Sequence, residues 1–235
     1  MSNTGKKAVV FGGTSGIGLA TAKMLAQDGA TVIAISRNPS KVGDLPAGIT
    51  TRPCDVTDRA AVEALLEDLA PFDILVSAAT GGDRAIGPFL EMDMEGFKDS
   101  FDKLWGYANV VRYGAGHLND GGSITLVSGS PARNCRPGQI ALSSVGGAVE
   151  ALVRAAAREL APRIRINVVS PGVIDTPMFP AQGEEREEFC KKVTGNNLIP
   201  RFGQPEEVAE GIMFVINNEF VTGTTVDVDG GALLS

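Results

Sequence analysis

A chain of 235 residues is long enough to bury one α/β core and short for two domains. Its composition, 43% hydrophobic and 21% charged, is ordinary for a soluble globular protein, and a net charge of −7 argues against a general nucleic-acid or anionic-membrane surface while allowing a local basic pocket. Three widely spaced cysteines, Cys54, Cys135 and Cys190, and a single histidine argue against a disulfide framework or a Cys/His metal site, so reduced thiols in a cytoplasmic protein with no metal are the expectation.

Met1–Lys7 leads into the first apolar run without a signal-peptide pattern, and no uninterrupted apolar run approaches the ~18 residues of a membrane span. The first run, Lys7–Phe11, reads as a strand. It breaks into Gly12-Gly13-Thr14-Ser15-Gly16-Ile17-Gly18, and the amphipathic pattern Ile17, Thr21, Met24, Leu25 follows at once as a helix over 17–28 that ends at Gly29. Glycine permits positive φ and close approach of a ligand, and the helix start offers free N–H groups and a partial positive charge. A dinucleotide pyrophosphate is the usual occupant of such a turn.

Strands are expected at Thr31–Ser36, near Thr50–Cys54, and at Asp73–Ser77. Between the last two, Thr57 or Asp58 caps a helix with the stripe Val62, Leu65, Leu66, Leu69 that ends at Pro71. A polar loop to Pro88 precedes one long helix over 95–118, then a strand at Ser123–Val127. A helix over 139–160 carries the stripe Val145, Val149, Leu152, Ala156, Leu160. A strand at Ile164–Val169 follows, then a Pro-, Gly- and charge-rich segment with one acidic helix over 184–192; residues 173–200 read as a substrate loop or lid, with a solvated connection as the alternative. Pro205 opens a last helix and Thr224–Val228 is the last strand. Strands alternating with helices imply one doubly wound α/β domain over 1–235, a parallel sheet of about seven strands with helices on both faces. Its ligand belongs outside the carboxyl ends of the strands.

The residues at those ends carry the chemistry. After the second strand comes Arg37, with no Asp or Glu in the three positions before it; an arginine there accepts a 2′-phosphate, which favours NADP over NAD. After the third comes Asp55-Val56, a carboxylate for the adenine amino group beside an apolar cover for the ring.

Taken with Gly12…Gly16-Ile17-Gly18 and Asp55-Val56, the segments Asn167-Val168-Val169-Ser170-Pro171-Gly172, Arg201-Phe202-Gly203-Gln204-Pro205-Glu206-Glu207-Val208-Ala209, and Val221-Thr222-Gly223 to Val228-Asp229-Gly230-Gly231 resemble the single-domain short-chain dehydrogenases/reductases over nearly the whole chain. The resemblance implies a Rossmann-like fold, an NADP(H) cofactor, a small carbonyl or alcohol substrate and a homodimer or homotetramer. It implies that Pro171, Gly172, Val173 and Thr176 line the nicotinamide end, and that Ser77-Ala78-Ala79-Thr80 stands where the family has Asn-Asn-Ala-Gly.

The family's acid–base residues are a tyrosine and a lysine one helical turn apart, where the ammonium lowers the phenol pKa for proton exchange with a carbonyl. The family pattern places this tyrosine at Leu142 and this lysine at Gly146. The family serine falls at Gly129, flanked by Ser128 and Ser130, and the relay asparagine falls at Lys103. The only tyrosines, Tyr107 and Tyr113, have no lysine four residues on. Lys103, Ser128 and Ser130 are therefore the candidate catalytic residues, with the Lys103 ammonium expected to fill the space beside Gly146. Ser143, Ser144 and water are further proton or hydrogen-bond donors, and Arg133 and Arg136 are candidates for an anionic substrate or plain surface residues. Three readings follow: an NADP-dependent oxidoreductase with a nonstandard acid, a catalytically silent nucleotide-binding sensor or partner subunit, or a pocket reused for an isomerase or lyase step, which the retained nicotinamide-side residues favour least.

Overall fold

Successive side chains of the first strand, β1 (Lys7–Phe11), enter opposite cores: Ala8 and Val10 one, Val9 and Phe11 the other. This two-sided burial is why the run is apolar throughout rather than alternating. The computed structural model describes residues 2–80, 83–179 and 182–235. From β1 the chain runs through α1 (Gly16–Gln27), β2 (Thr31–Ser36), β3 (Ile49–Pro53), α2 (Arg59–Leu69) and β4 (Phe72–Ser77). It continues through α3 (Met94–Asp99), α4 (Asp102–Gly114), β5 (Leu118–Val127), α5 (Pro131–Asn134) and α6 (Ile140–Leu160). It closes with β6 (Arg165–Pro171), α7 (Gly183–Thr194), α8 (Pro205–Asn217) and β7 (Thr225–Val228).

The seven strands form one sheet in the order β3-β2-β1-β4-β5-β6-β7, every described pairing parallel. Helices α1 and α8 bury Leu25, Val208, Ile212 and Val215 against one face. Helices α2, α4 and α6 bury Leu66, Val110 and Val149 against the other. The chain winds outward in both directions from the β1/β4 pair, where Phe11 sits opposite Ser77 and Ala78 N donates to Phe11 O at 2.9 Å. A crevice for a ligand opens at such a switch point.

Four elements differ from the sequence expectation, the first being β5, which begins at Leu118, five residues before the expected Ser123. The single helix expected over 95–118 is two, broken at Ser100. There the Ser100 hydroxyl donates to Gly96 O and accepts from Ala85 N, both at 2.9 Å, and bonding back to a carbonyl one turn earlier bends a helix. The later glycines leave α4 helical to Gly114 because they sit under neighbours: a Cβ would lie 2.6 Å from Val56 Cγ2 at Gly106 and 2.5 Å from Leu75 Cδ2 at Gly114. In α6 the fully buried ridge is Ala141, Val145, Val149, Val153, Ala157, while Leu152, Ala156 and Leu160 are only partly buried on its flank. Helix α5 was not expected, although Pro131 occupies its first turn. Helix α6 is long and apolar enough, on length and composition alone, to cross a membrane, but its apolar run is interrupted by Glu150, Arg154 and Arg158 and it lies on the sheet.

Candidate active site

A cavity of about 750 Å³ opens at the carboxyl ends of β1 and β4. The glycine turn forms its floor. Gly12 adopts φ 75° with its back to Ala78 and Ala79, where a Cβ would stand 2.8 Å from Ala79 N, and a Cβ on Gly18 would stand 2.1 Å from Gly12 O. No other residue type fits these two positions. The first helical bond of α1 runs from Leu19 N to Ser15 O, and Ser15 makes no side-chain cap, so the amides of Gly16, Ile17 and Gly18 have no partner within the helix. Thr14 lines the same floor, and Thr176 closes over it, with its Cγ2 3.2 Å from where a Gly16 Cβ would lie.

At one end of the cavity stand Ser36, Arg37, Asp55 and Val56. Arg37 is exposed and has no hydrogen bond or ion pair among the described residues, and the buried Ser36 hydroxyl is likewise unpartnered. Asp55 accepts from Thr57 N at 2.9 Å and Thr57 Oγ1 at 2.7 Å, both on Oδ1. Burial opposes its ionisation, but these two bonds and the Arg37 charge outweigh it and hold the carboxyl below its ordinary pKa. Its other oxygen stays available. The cradle, the free amides and the unpartnered Ser36–Arg37 pair fit a phosphorylated dinucleotide.

At the other end Ala78, Ala79, Pro171, Gly172 and Val173 meet Leu142 and Gly146 of α6. Ser128 is tied at every polar atom: its N donates to Val169 O, its hydroxyl to Gly146 O at 3.3 Å, and its carbonyl accepts from Lys103 Nζ at 3.1 Å. Ser130 is buried, opens α5 and makes no side-chain cap bond. The space beside Gly146 is not filled by Lys103. A Cβ there would lie 2.8 Å from Ala132 Cβ and 3.2 Å from Ser128 Oγ, so α5 occupies it and the ammonium ends on the carbonyl of the same serine. Desolvation, with the Arg84 charge second, pushes the Lys103 pKa down to about 8. Neither tyrosine lines the cavity; the buried Tyr107 hydroxyl donates to Val127 O at 2.8 Å, and burial raises its pKa further from the useful range. Arg133 is committed to Glu150 and Asp227, and Arg136 to neutral acceptors including Ser235 Oγ and Asn197 Oδ1.

Within segment 173–200, of which residues 180 and 181 lie outside the described residues, the described part is anchored. Phe179, Phe189 and the buried Phe202 pack ring on ring with centroids 5.3–6.2 Å apart, Arg186 stacks on Phe202, and Arg186 pairs with Asp175. Phe179 and Phe189 face the cavity. Sequence reasoning missed Arg84, which lies in the loop between β4 and α3, and Ala132; the only signals were a lone arginine just past a strand end and a proline-led turn after Ser130.

The arrangement is a doubly wound dinucleotide-binding site. Residues 12–232 match the family described as enoyl-(acyl carrier protein) reductase. The chain is 34% identical over 249 residues to the 3-oxoacyl-[acyl-carrier-protein] reductase FabG of Thermotoga maritima, covering 98% of each, and 31% identical over 239 residues to L-xylulose reductase of Bos taurus, covering 97% of each. A solved small-chain dehydrogenase in complex with NADPH superposes with a TM-score of 0.87 at 31% identity, over 98% of this chain and 99% of that one. The chain belongs to the short-chain dehydrogenase/reductase family and is a nucleotide-binding oxidoreductase of that family.

Proposed function

We propose that the chain is an NADP(H)-dependent reductase of a small carbonyl compound in which Lys103 takes the place of the family's tyrosine as proton donor. The observation that carries this is the Lys103 ammonium: it lies on the cavity wall, fixed by Ser128 O at 3.1 Å, without an acidic partner among the described residues, and with a pKa brought to about 8. A general acid works best with a pKa near the operating pH. The preference for NADP over NAD rests on Arg37 and the unpartnered Ser36 hydroxyl, and agrees with the NADPH-bound solved relative.

The glycine turn, Ser36 and Arg37 would hold NADPH, which would supply the hydride for the carbonyl carbon. Lys103 gives its proton to the carbonyl oxygen, leaving an alcohol, and is reprotonated from solvent. Ser130 is the free hydroxyl that orients the oxygen, Ser128 positions Lys103 through its carbonyl, and Leu142 offers only an apolar wall. The 173–200 segment acts as a lid that excludes water through Phe179 and Phe189.

The test is titration of NADPH and NADH by nicotinamide fluorescence, then NADPH oxidation with a panel of carbonyls. NADPH is expected to bind more tightly than NADH, and Lys103→Met is expected to lower kcat by ~10²-fold or more with NADPH affinity kept within about threefold. Tight binding with no turnover of any carbonyl would establish the silent sensor or partner subunit instead; unchanged kcat in Lys103→Met would remove Lys103 from the chemistry.

A further inference from the structure

The charged side chains that line the cavity are unbalanced. Arg37, Arg84, Lys103, Arg136 and Lys192 are basic and, among the described residues, only Asp55 is acidic, in a chain whose net charge is −7. The single acid lies at the adenine end, beside Arg37. The phosphates of a dinucleotide account for Arg37 and the glycine turn, but they do not account for Arg84 and Lys103 at the opposite end.

We propose that the substrate is a small oxo acid whose carboxylate is held at the cavity mouth by the Arg84 guanidinium, beside the carbonyl that faces Lys103. Arg84 forms no ion pair among the described residues. Its Nη2 instead contacts the Met178 thioether across the mouth, between the loop before α3 and the loop after β6. A thioether sulfur is a weak acceptor, whereas a carboxylate takes two parallel charge-assisted bonds from a guanidinium. Arg133 pairs with Glu150 and Asp227, Arg186 with Asp175, and Arg201 with Glu207, and Arg136 and Arg165 end on several good neutral oxygen acceptors, whereas Arg84 ends on a thioether. Arg84 and Lys103 both line the cavity, and the field of Arg84 is felt at the Lys103 ammonium. An anion between them removes that repulsion, and it binds without expelling a protein carboxylate. A cleft with one sign of charge and low-dielectric walls also concentrates the matching ion.

This inference specifies the substrate of the proposed reductase, so its test separates anion binding from turnover. Oxamate, a carboxylate that is not reduced, and oxamide, its neutral counterpart, are titrated calorimetrically into the protein–NADPH complex. In parallel, NADPH oxidation is followed with 2-oxobutanoate and its methyl ester. Oxamate is expected to bind at least tenfold more tightly than oxamide. Arg84→Gln should abolish that difference and lower the acid-to-ester ratio of kcat/KM at least tenfold, with partial recovery in Arg84→Lys. Equal binding of oxamate and oxamide, an Arg84→Gln variant that keeps the difference, or a loss of NADPH affinity in that variant would each overturn the proposal. Arg84-dependent oxamate binding with no turnover of either substrate would uphold the anion site and sink the reductase assignment. Turnover of neutral ketones with no preference for acids would do the reverse.

Discussion

Two neighbouring glycines in α6 should respond oppositely to the same substitution. An exposed or unobstructed Gly→Ala change inside a helix gains ~1 kcal/mol. At Gly147 a Cβ meets nothing within 4 Å, so Gly147→Ala should keep the whole gain and raise Tm by roughly 2–4 °C for a domain of this size. At Gly146 the new methyl would lie 2.8 Å from Ala132 Cβ and 3.2 Å from both Ala132 Cα and Ser128 Oγ. Such overpacking costs ~1–3 kcal/mol, which offsets the helical gain and leaves Gly146→Ala between neutral and about 2 kcal/mol less stable. Thermal unfolding of the two single variants, Ala132→Gly, and the Gly146→Ala/Ala132→Gly double variant forms a cycle. The coupling between positions 132 and 146 should be about 1 kcal/mol or more in favour of the pair, because relieving the contact restores the helical gain. Equal Tm shifts at the two glycines, or no coupling with Ala132, would refute the packing argument and with it the claim that α5 fills the space beside Gly146.

Arg37→Ala should weaken NADPH by about tenfold while leaving NADH within about twofold, since it removes one charge-assisted contact to a 2′-phosphate; equal losses in fluorescence titrations of both nucleotides would contradict the assignment. Lys103, with a pKa of about 8, should make carbonyl reduction fall roughly tenfold per pH unit above pH 8 as its acid form is lost, and Lys103→Met should flatten that limb of the kcat profile. The same shift carries a stability signature. The folded chain gives up this proton near pH 8 and the unfolded chain near pH 10.5, so between those values the unfolded state binds more protons and the Lys103 contribution to stability rises with pH. Denaturant midpoints across that window should climb more steeply in wild type than in Lys103→Met. Phe202→Ala removes the ring against which Phe179, Phe189 and Arg186 pack, and should raise substrate KM at least fivefold and speed proteolysis within residues 182–195; unchanged cleavage there would separate the lid from its aromatic anchor.

What was legible in the sequence was local. Strands β1 and β2 start and stop where the apolar runs do, because both are buried on two faces and end in residues that cannot continue a sheet interior. The α2 stripe Val62, Leu65, Leu66, Leu69 is buried as its spacing requires, and Asp58 rather than Thr57 supplies the cap, accepting from Ala61 N at 3.1 Å. The break at Ser100 was hidden because its cause is not local: the hydroxyl that bends the helix is held by an amide fifteen residues upstream, at Ala85. The rotation of the α6 stripe was hidden for a similar reason, since Val153 and Leu152 are equally apolar and only the sheet beneath decides which is covered.

The site divides along the same line. Gly12, Thr14, Ser15, Gly16, Ile17, Gly18, Arg37, Asp55, Val56, Pro171, Gly172, Val173 and Thr176 line the same cavity, as do Lys103, Ser128, Ser130, Leu142 and Gly146. Strand ends converge by topology, so their positions follow from the winding alone. The relation between Lys103 and Gly146 does not, because it depends on how three helices pack. Gly129 retains room for a side chain, with nothing nearer than Pro131 Cδ at 3.4 Å, whereas Gly146 is closed by Ala132. A Cβ at 129 is thus in ordinary contact, but a side chain at 146 requires α5 to move. Closure at Gly146 therefore leaves Lys103, on the Ser128 carbonyl, as the ammonium already in place at this end of the cavity.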